Sequence, residues 1–98
     1  GLTGSIPYET VDGWGVLPSG LEYGQVTGVA VDRSDSVYVL SRGDHAVVVF
    51  DAEGVLAQVW EERFARPHSI HIGPDGNVYI VDREAHVVQK HSPEGRLL

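Results

Sequence analysis

A gapless internal repeat constrains this chain more than any other feature. Aligning Val29 with Ile70 sets an offset of 41 positions that runs to the C-terminus without an insertion. Under it Val37, Tyr38, Arg42, His45, Val47, Glu53, Gly54 and Leu56 fall on Val78, Tyr79, Arg83, His86, Val88, Glu94, Gly95 and Leu97. Self-similarity at a period of about 20–50 residues marks like supersecondary units that bury their apolar faces on one another. Within each copy, short runs rich in Val, Ile and Tyr alternate with turn signals: Ser34-Asp35-Ser36, Ala52-Glu53-Gly54, Pro74-Asp75-Gly76-Asn77 and Ser92-Pro93-Glu94-Gly95. β-Branched and aromatic runs bounded in this way read as antiparallel strands joined by tight turns.

The pattern predicts strands over 27–31, 37–41, 46–51 and 55–60 in the first copy, and over 69–72, 78–82 and 87–91 in the second. Four strands in about 40 residues is the size of a propeller blade. The expected fold class is therefore all-β, with two propeller blades per chain; a single open meander of seven or eight strands is the competing arrangement. The second copy reaches Leu97-Leu98 where its outermost strand should begin, whereas Tyr8-Glu9-Thr10-Val11-Asp12-Gly13-Trp14 precedes the first copy at outer-strand spacing. A spare strand and a vacancy imply that residues near 6–12 complete the last blade of a neighbouring molecule, removing an edge prone to aggregation. The expected organisation is 1–25 as that outer strand plus a linker, 26–66 as blade 1, and 67–98 as blade 2 lacking its outer strand. Propellers close with about four to eight blades, so two per chain admit a dimer, a trimer or a tetramer. A longer natural chain that supplies the remaining blades itself is the alternative.

Charge and composition narrow the partners. A formal charge of -7 with no basic cluster argues against nucleic acid and anionic membrane. No apolar run approaches the roughly 18 residues of a membrane-spanning helix, and the N-terminus lacks a signal-peptide layout, so a soluble chain of unassigned compartment is expected. A peptide or small-molecule ligand fits better. Without cysteine, any metal must be held by the five histidines, by carboxylates or by carbonyls.

Gly28-Val29-Ala30-Val31-Asp32 and Pro67-His68-Ser69-Ile70 resemble the signatures of NHL-type propellers, and Ser41-Arg42-Gly43-Asp44-His45 is more particular. From about Tyr8 to Leu98 the chain is similar to the first blades of the peptidyl-α-hydroxyglycine α-amidating lyases, six-bladed NHL propellers that release glyoxylate and a peptide amide. The resemblance implies a catalytic arginine at Arg42, a zinc-ligating histidine at His68, and carbonyl ligands for a channel calcium at Val29 and Ile70. Arg83, within Val81-Asp82-Arg83-Glu84, resembles a second catalytic arginine that the family carries in a later blade. The chain also departs from the pattern. The family takes three different histidines for zinc where this chain has His68, has a catalytic tyrosine without a counterpart here, and ligates calcium with an aspartate where this chain has Ser69.

Three chains would give six blades, and a threefold axis would bring three copies of His68 together around an open fourth position, the arrangement of a catalytic zinc. Strand alternation puts His68, Arg42, Arg83, His45 and His86 at one end of the sheets and the Asp-Gly and Glu-Gly turns at the other. Arginines there suit a carboxylate, which they bind through two parallel hydrogen bonds; alternatively they bridge blades through Asp44, Asp82 or Glu84. His45 and His86 recur in both copies, which favours a structural role in the turn. His71 is placed to line the channel, His91 is expected to be solvated, and Trp14 and Trp60 to pack between sheets. Two readings follow: an NHL-type module binding a peptide or small anionic ligand at the channel mouth, or an active zinc-dependent lyase of the peptide-amidating type.

Overall fold

The computed structural model describes Leu17 and residues 24–98; the outer strand expected near 6–12 and Trp14 lie outside the described residues. The described residues hold seven strands: β1 (Val26–Val31), β2 (Val37–Ser41), β3 (Val47–Phe50), β4 (Leu56–Val59), β5 (Pro67–Ile72), β6 (Val78–Asp82) and β7 (Val87–His91). They form two antiparallel sheets in plain meander order, β1-β2-β3-β4 and β5-β6-β7, with no helix among the described residues. The observed spans follow the predicted ones within two residues at each end. Leu97 bridges His91 as Leu56 pairs with Phe50 in the first sheet, so the second sheet enters its fourth position at the residue the repeat requires.

Both inner strands carry a bulge at repeat-equivalent places, between Val26 and Gly28 in β1 and between Pro67 and Ser69 in β5. The bulge explains why β5 begins at Pro67 rather than at the predicted residue 69. His68 is thereby a strand residue at the bulge, not part of the entering loop.

The core lies between the sheets. Tyr38, Leu40, Val47 and Val49 from the first sheet meet Ile70, Val78 and Ile80 from the second, closed at the outer side by Trp60. Alternation along each strand produces this, because successive side chains point to opposite faces. Gly28 lets β1 and β5 approach closely: a Cβ there would lie 3.2 Å from Ile70 Cγ2 and 3.4 Å from its backbone nitrogen. Tyr38 reaches across the sheets to donate to the carbonyl of Pro93 at 3.2 Å, with its hydroxyl 3.4 Å from Asp32 Oδ2; burial first, then the Asp32 charge, pushes its phenol up to about 12.

His91 is fully buried, contrary to the expectation of a solvated ring. It packs on Trp60 and Phe64 at centroid distances of 5.2 and 5.7 Å, with its nitrogens against Gln89 Oε1 at 3.0 Å and the Gly95 carbonyl at 3.4 Å. The 41-residue offset places it on Phe50, so it holds a core position in an imidazole that finds its own polar partners.

Four equivalent turns line the far end, their fourth residues donating to Asp32, Asp51, Gly73 and Ser92 carbonyls and adopting positive φ at Asp35, Gly54, Gly76 and Gly95. At Gly95 the constraint is double, since φ is 94° and a Cβ would sit 2.8–2.9 Å from the Trp60 ring. Gly95→Ala is expected to cost roughly 2–4 kcal/mol, combining left-handed strain with displacement of a buried aromatic. Urea denaturation checks this; a loss under 1 kcal/mol would show that Trp60 is not held there.

The face of the first sheet turned away from the core is exposed along β1, and the corresponding face of the second sheet is exposed in part. Tyr79, Val81, Val88 and Lys90 are the counterparts of Tyr38, Leu40, Val47 and Val49, the face on which the second sheet packs. Val29 and Val31 are the counterparts of Ile70 and Ile72, which face the core, yet they are 57% and 54% exposed, and Val88 is 63% exposed. Leu17 packs against Val39, Val48 and Phe50 on the first of these faces.

Candidate functional site

The end opposite the four turns is built from repeat-equivalent loops, residues 42–46 and 83–86, and from the segments that lead into β1 and β5. Two backbone bonds close it identically: Arg42 N–H donates to the Gln25 carbonyl at 2.9 Å, and Arg83 N–H to the Arg66 carbonyl at 3.0 Å. Beside the first of these, only glycine fits at Gly24, whose Cβ would fall 1.3 Å from the Arg42 carbonyl oxygen. Arg42, His68 and Arg83 are all exposed at this end, as strand alternation required. The Arg42 guanidinium makes a long contact with Gln25 Oε1, 3.4 Å.

Asp82 organises the second loop. It is 2% exposed and accepts hydrogen bonds from the amides of Ala65, Arg66 and Ala85 at 2.9, 3.1 and 3.2 Å. Burial pushes its carboxyl up, but the Ala85, Arg66, Ala65 and Glu84 amides outweigh burial and hold it below the usual carboxylate range. One ionised side chain thus ties the segment entering β5 to the β6–β7 turn, in which His86 adopts φ 57°.

The bridging arrangement considered for the arginines is not the one formed. Asp44 lies 3.5 Å from Arg63, both side chains largely exposed, and Asp82 is committed to backbone amides. Arg42 and Arg83 make no ion pair with any described residue. Val29 and Ile70 stand in mid-strand, opposite Val39 and Ile80, where their backbones belong to the ladders of β1 and β5. Among the described residues no three His, Asp or Glu side chains lie close enough to hold a metal ion. One chain therefore offers His68 as a single imidazole.

Charge is unevenly placed along the strand direction. Arg42, Arg63, Arg66 and Arg83 stand at the loop end with Asp44, Glu61, Glu62, Glu84 and the buried Asp82, whereas the turn end carries Asp32, Asp35, Asp51, Glu53, Asp75 and Glu94 against Arg33, Arg96 and Lys90, which lies 3.4 Å from Asp75. A hollow of about 470 Å³ beside Arg83 is lined by Val81, Asp82, His86, Val87 and Val88. Its walls Val81 and Val88 are the counterparts of Leu40 and Val47, which the second sheet covers.

Sequence reasoning offered Asp82 only as a bridging partner for an arginine, missing its hold on the backbone amides, and it missed Arg66. The available signal was the small polar residue that closes the second strand of both copies, Ser41 and Asp82, at the point where the chain turns into a loop.

Comparison with known proteins agrees with this geometry. The NHL repeat family model matches residues 64–90, which span the segment entering β5 through most of β7. The peptidylglycine alpha-amidating monooxygenase of Rattus norvegicus is 30% identical over 104 aligned residues, covering 76% of this chain and 11% of the rat protein. The chain thus spans about a tenth of the length of that relative. With its gapless repeat, meander sheets and face-to-face packing, the chain carries NHL-type propeller blades that resemble part of the peptide-amidating enzyme.

Proposed function

We propose that this chain is an NHL-type β-propeller module that associates with further copies of itself into a six-bladed ring, a homotrimer, and binds a peptide or small anionic ligand at the mouth formed by Arg42, His68 and Arg83. The observation that carries the ligand reading is that these three exposed side chains stand at one end of both sheets, with neither Arg42 nor Arg83 in an ion pair with a described residue. Exposed guanidinium groups without acidic partners recognise carboxylates by paired hydrogen bonds.

Closure is supported by the two partly exposed faces. Each corresponds through the repeat to one half of the packed interface inside the chain, with Lys90 in the place of Val49, and the exposed Val29 and Val31 edge of one copy is paired in this reading with the Tyr79, Val81 and Val88 side of the next. In a threefold ring His68 would contribute one imidazole per chain to zinc, and the Val29 and Ile70 carbonyls would offer hard oxygen ligands to calcium. Zinc held by those imidazoles would supply a Lewis acid. The chain's own residues would orient the ligand: Arg42 and Arg83 hold its carboxylate, and Asp82 fixes the loop that carries Arg83.

The likeness to a peptide-amidating enzyme favours a second reading, in which the assembled mouth is a zinc-dependent lyase that releases glyoxylate and a peptide amide. Light scattering with zinc quantified on the same sample tests the assembly. A three-chain mass with about one zinc per three chains is expected, and a glyoxylate-release assay then separates the two readings. A single-chain mass without metal would sink the symmetric site, and unchanged carboxylate binding in Arg42→Ala would remove Arg42 from the mouth.

A further inference from the structure

The two loops at the mouth are repeat equivalents that differ in one decisive residue. In the first sheet the residue whose carbonyl receives the arginine amide is Gln25, and its side-chain oxygen sits 3.4 Å from the Arg42 guanidinium. In the second sheet that residue is Arg66, which faces Arg83 across the same backbone bond. The register Pro67↔Asp82 continues outward to Arg66 and Arg83, so the two occupy a cross-strand position where like charges oppose one another unfavourably. Both are exposed, and no described acidic side chain pairs with either. Of the two carboxylates that flank Arg83, Asp82 is turned to the amides of Ala65, Arg66 and Ala85 and so holds the two strand ends together, and neither it nor Glu84 forms an ion pair with Arg66 or Arg83.

We propose that Arg66 and Arg83 form a two-guanidinium cradle for a carboxylate, with Arg66 a binding residue that the family motif does not supply. The inference rests on reading the mouth as an anion site, and it names the chemistry of the ligand and a second side chain that holds it. A carboxylate between two guanidinium groups relieves their mutual repulsion and accepts charge-assisted hydrogen bonds from both. The cradle stays open when blades pack, because Arg42, the repeat equivalent of Arg83, remains exposed although the second sheet lies against the first.

Acetate is a sufficient probe, with acetamide as the uncharged control and sodium chloride holding ionic strength constant. Arg66→Gln installs the side-chain pair of the first sheet and is expected to weaken acetate binding roughly tenfold, the loss of one charge-assisted contact. Gln25→Arg recreates the double-arginine pair in the first sheet and is expected to add a second acetate site per chain. Circular dichroism should be unchanged in both, since Gln25 and Arg66 are exposed. Unaltered affinity in Arg66→Gln, or no added site in Gln25→Arg, would overturn the cradle. If Arg83→Gln weakens binding while Arg66→Gln does not, the mouth still binds anions and only the pairing falls; if neither matters, both readings fall together.

Discussion

Asp82→Ala is expected to remove roughly 3–5 kcal/mol of stability, a large effect for a side chain that makes no ion pair. Three backbone amides, of Ala65, Arg66 and Ala85, lose an ionised acceptor at a site where the side chain is 2% exposed. The penalty is mostly that of leaving donors without partners. The same carboxyl gives a pH signature. Its folded pKa lies below the ordinary aspartate value, so its contribution is fully present above about pH 3.9 and is lost as pH falls through the lower folded value. Urea midpoints between pH 7 and pH 2.5 should show an acid limb that Asp82→Asn flattens. Asp75 is also held below its ordinary value, by the Tyr79 hydroxyl first and then the Asn77 amide, but at an exposed site where solvent screens the interaction. An acid limb unchanged by Asp82→Asn and abolished by Asp75→Asn would assign the linkage to the turn instead.

The second large effect concerns association. Val31→Glu places a carboxylate on the exposed edge of the first sheet, and Val88→Glu does so on the exposed face of the second. Both positions are more than half exposed in the single chain, so the fold of one chain should hold within about 0.5 kcal/mol. In the ring each carboxylate would be buried against apolar side chains without a partner, a cost of roughly 2–5 kcal/mol per contact. Each variant alone is expected to run as a single chain. Mixed in equal amounts they keep one intact pair of faces, Val31 from one and Val88 from the other, and should form a two-chain species. Light scattering reads both outcomes; a three-chain mass retained by either variant would mean that these faces do not meet.

Much of the architecture could be read from the repeat, because it fixes period, strand order and facing pattern at once. Every strand from β1 to β7 was expected, and Trp60 was placed between the sheets, where it is found. The failures have local physical causes. β5 starts early because a bulge lets the chain pair at Pro67 and again at Ser69. His91 was misjudged by residue type, although its alignment with Phe50 marked a core position. Asp82 was invisible as an organiser because its partners, the amides at 65, 66 and 85, are brought to it only by the antiparallel pairing of β5 and β6. Placement of Arg42, His68 and Arg83 at one end of the sheets did follow from alternation, whereas the contrast between Gln25 and Arg66 needed the backbone bonds that make those residues equivalent.

The lopsided placement of charge has a consequence for how a ligand arrives. With six acids against Arg33, Lys90 and Arg96 at the turn end and five acids against four arginines at the loop end, the described part of each chain is polarised along its strands, pointing its less negative pole at the mouth. Copies arranged around an axis by face-to-face packing share that direction, so their fields add instead of cancelling. Within a net charge of -7 per chain, an anion approaching such a ring would be repelled more strongly on the turn side than at the opposite opening. Its capture rate, unlike the fold, should then rise as added salt screens that net repulsion.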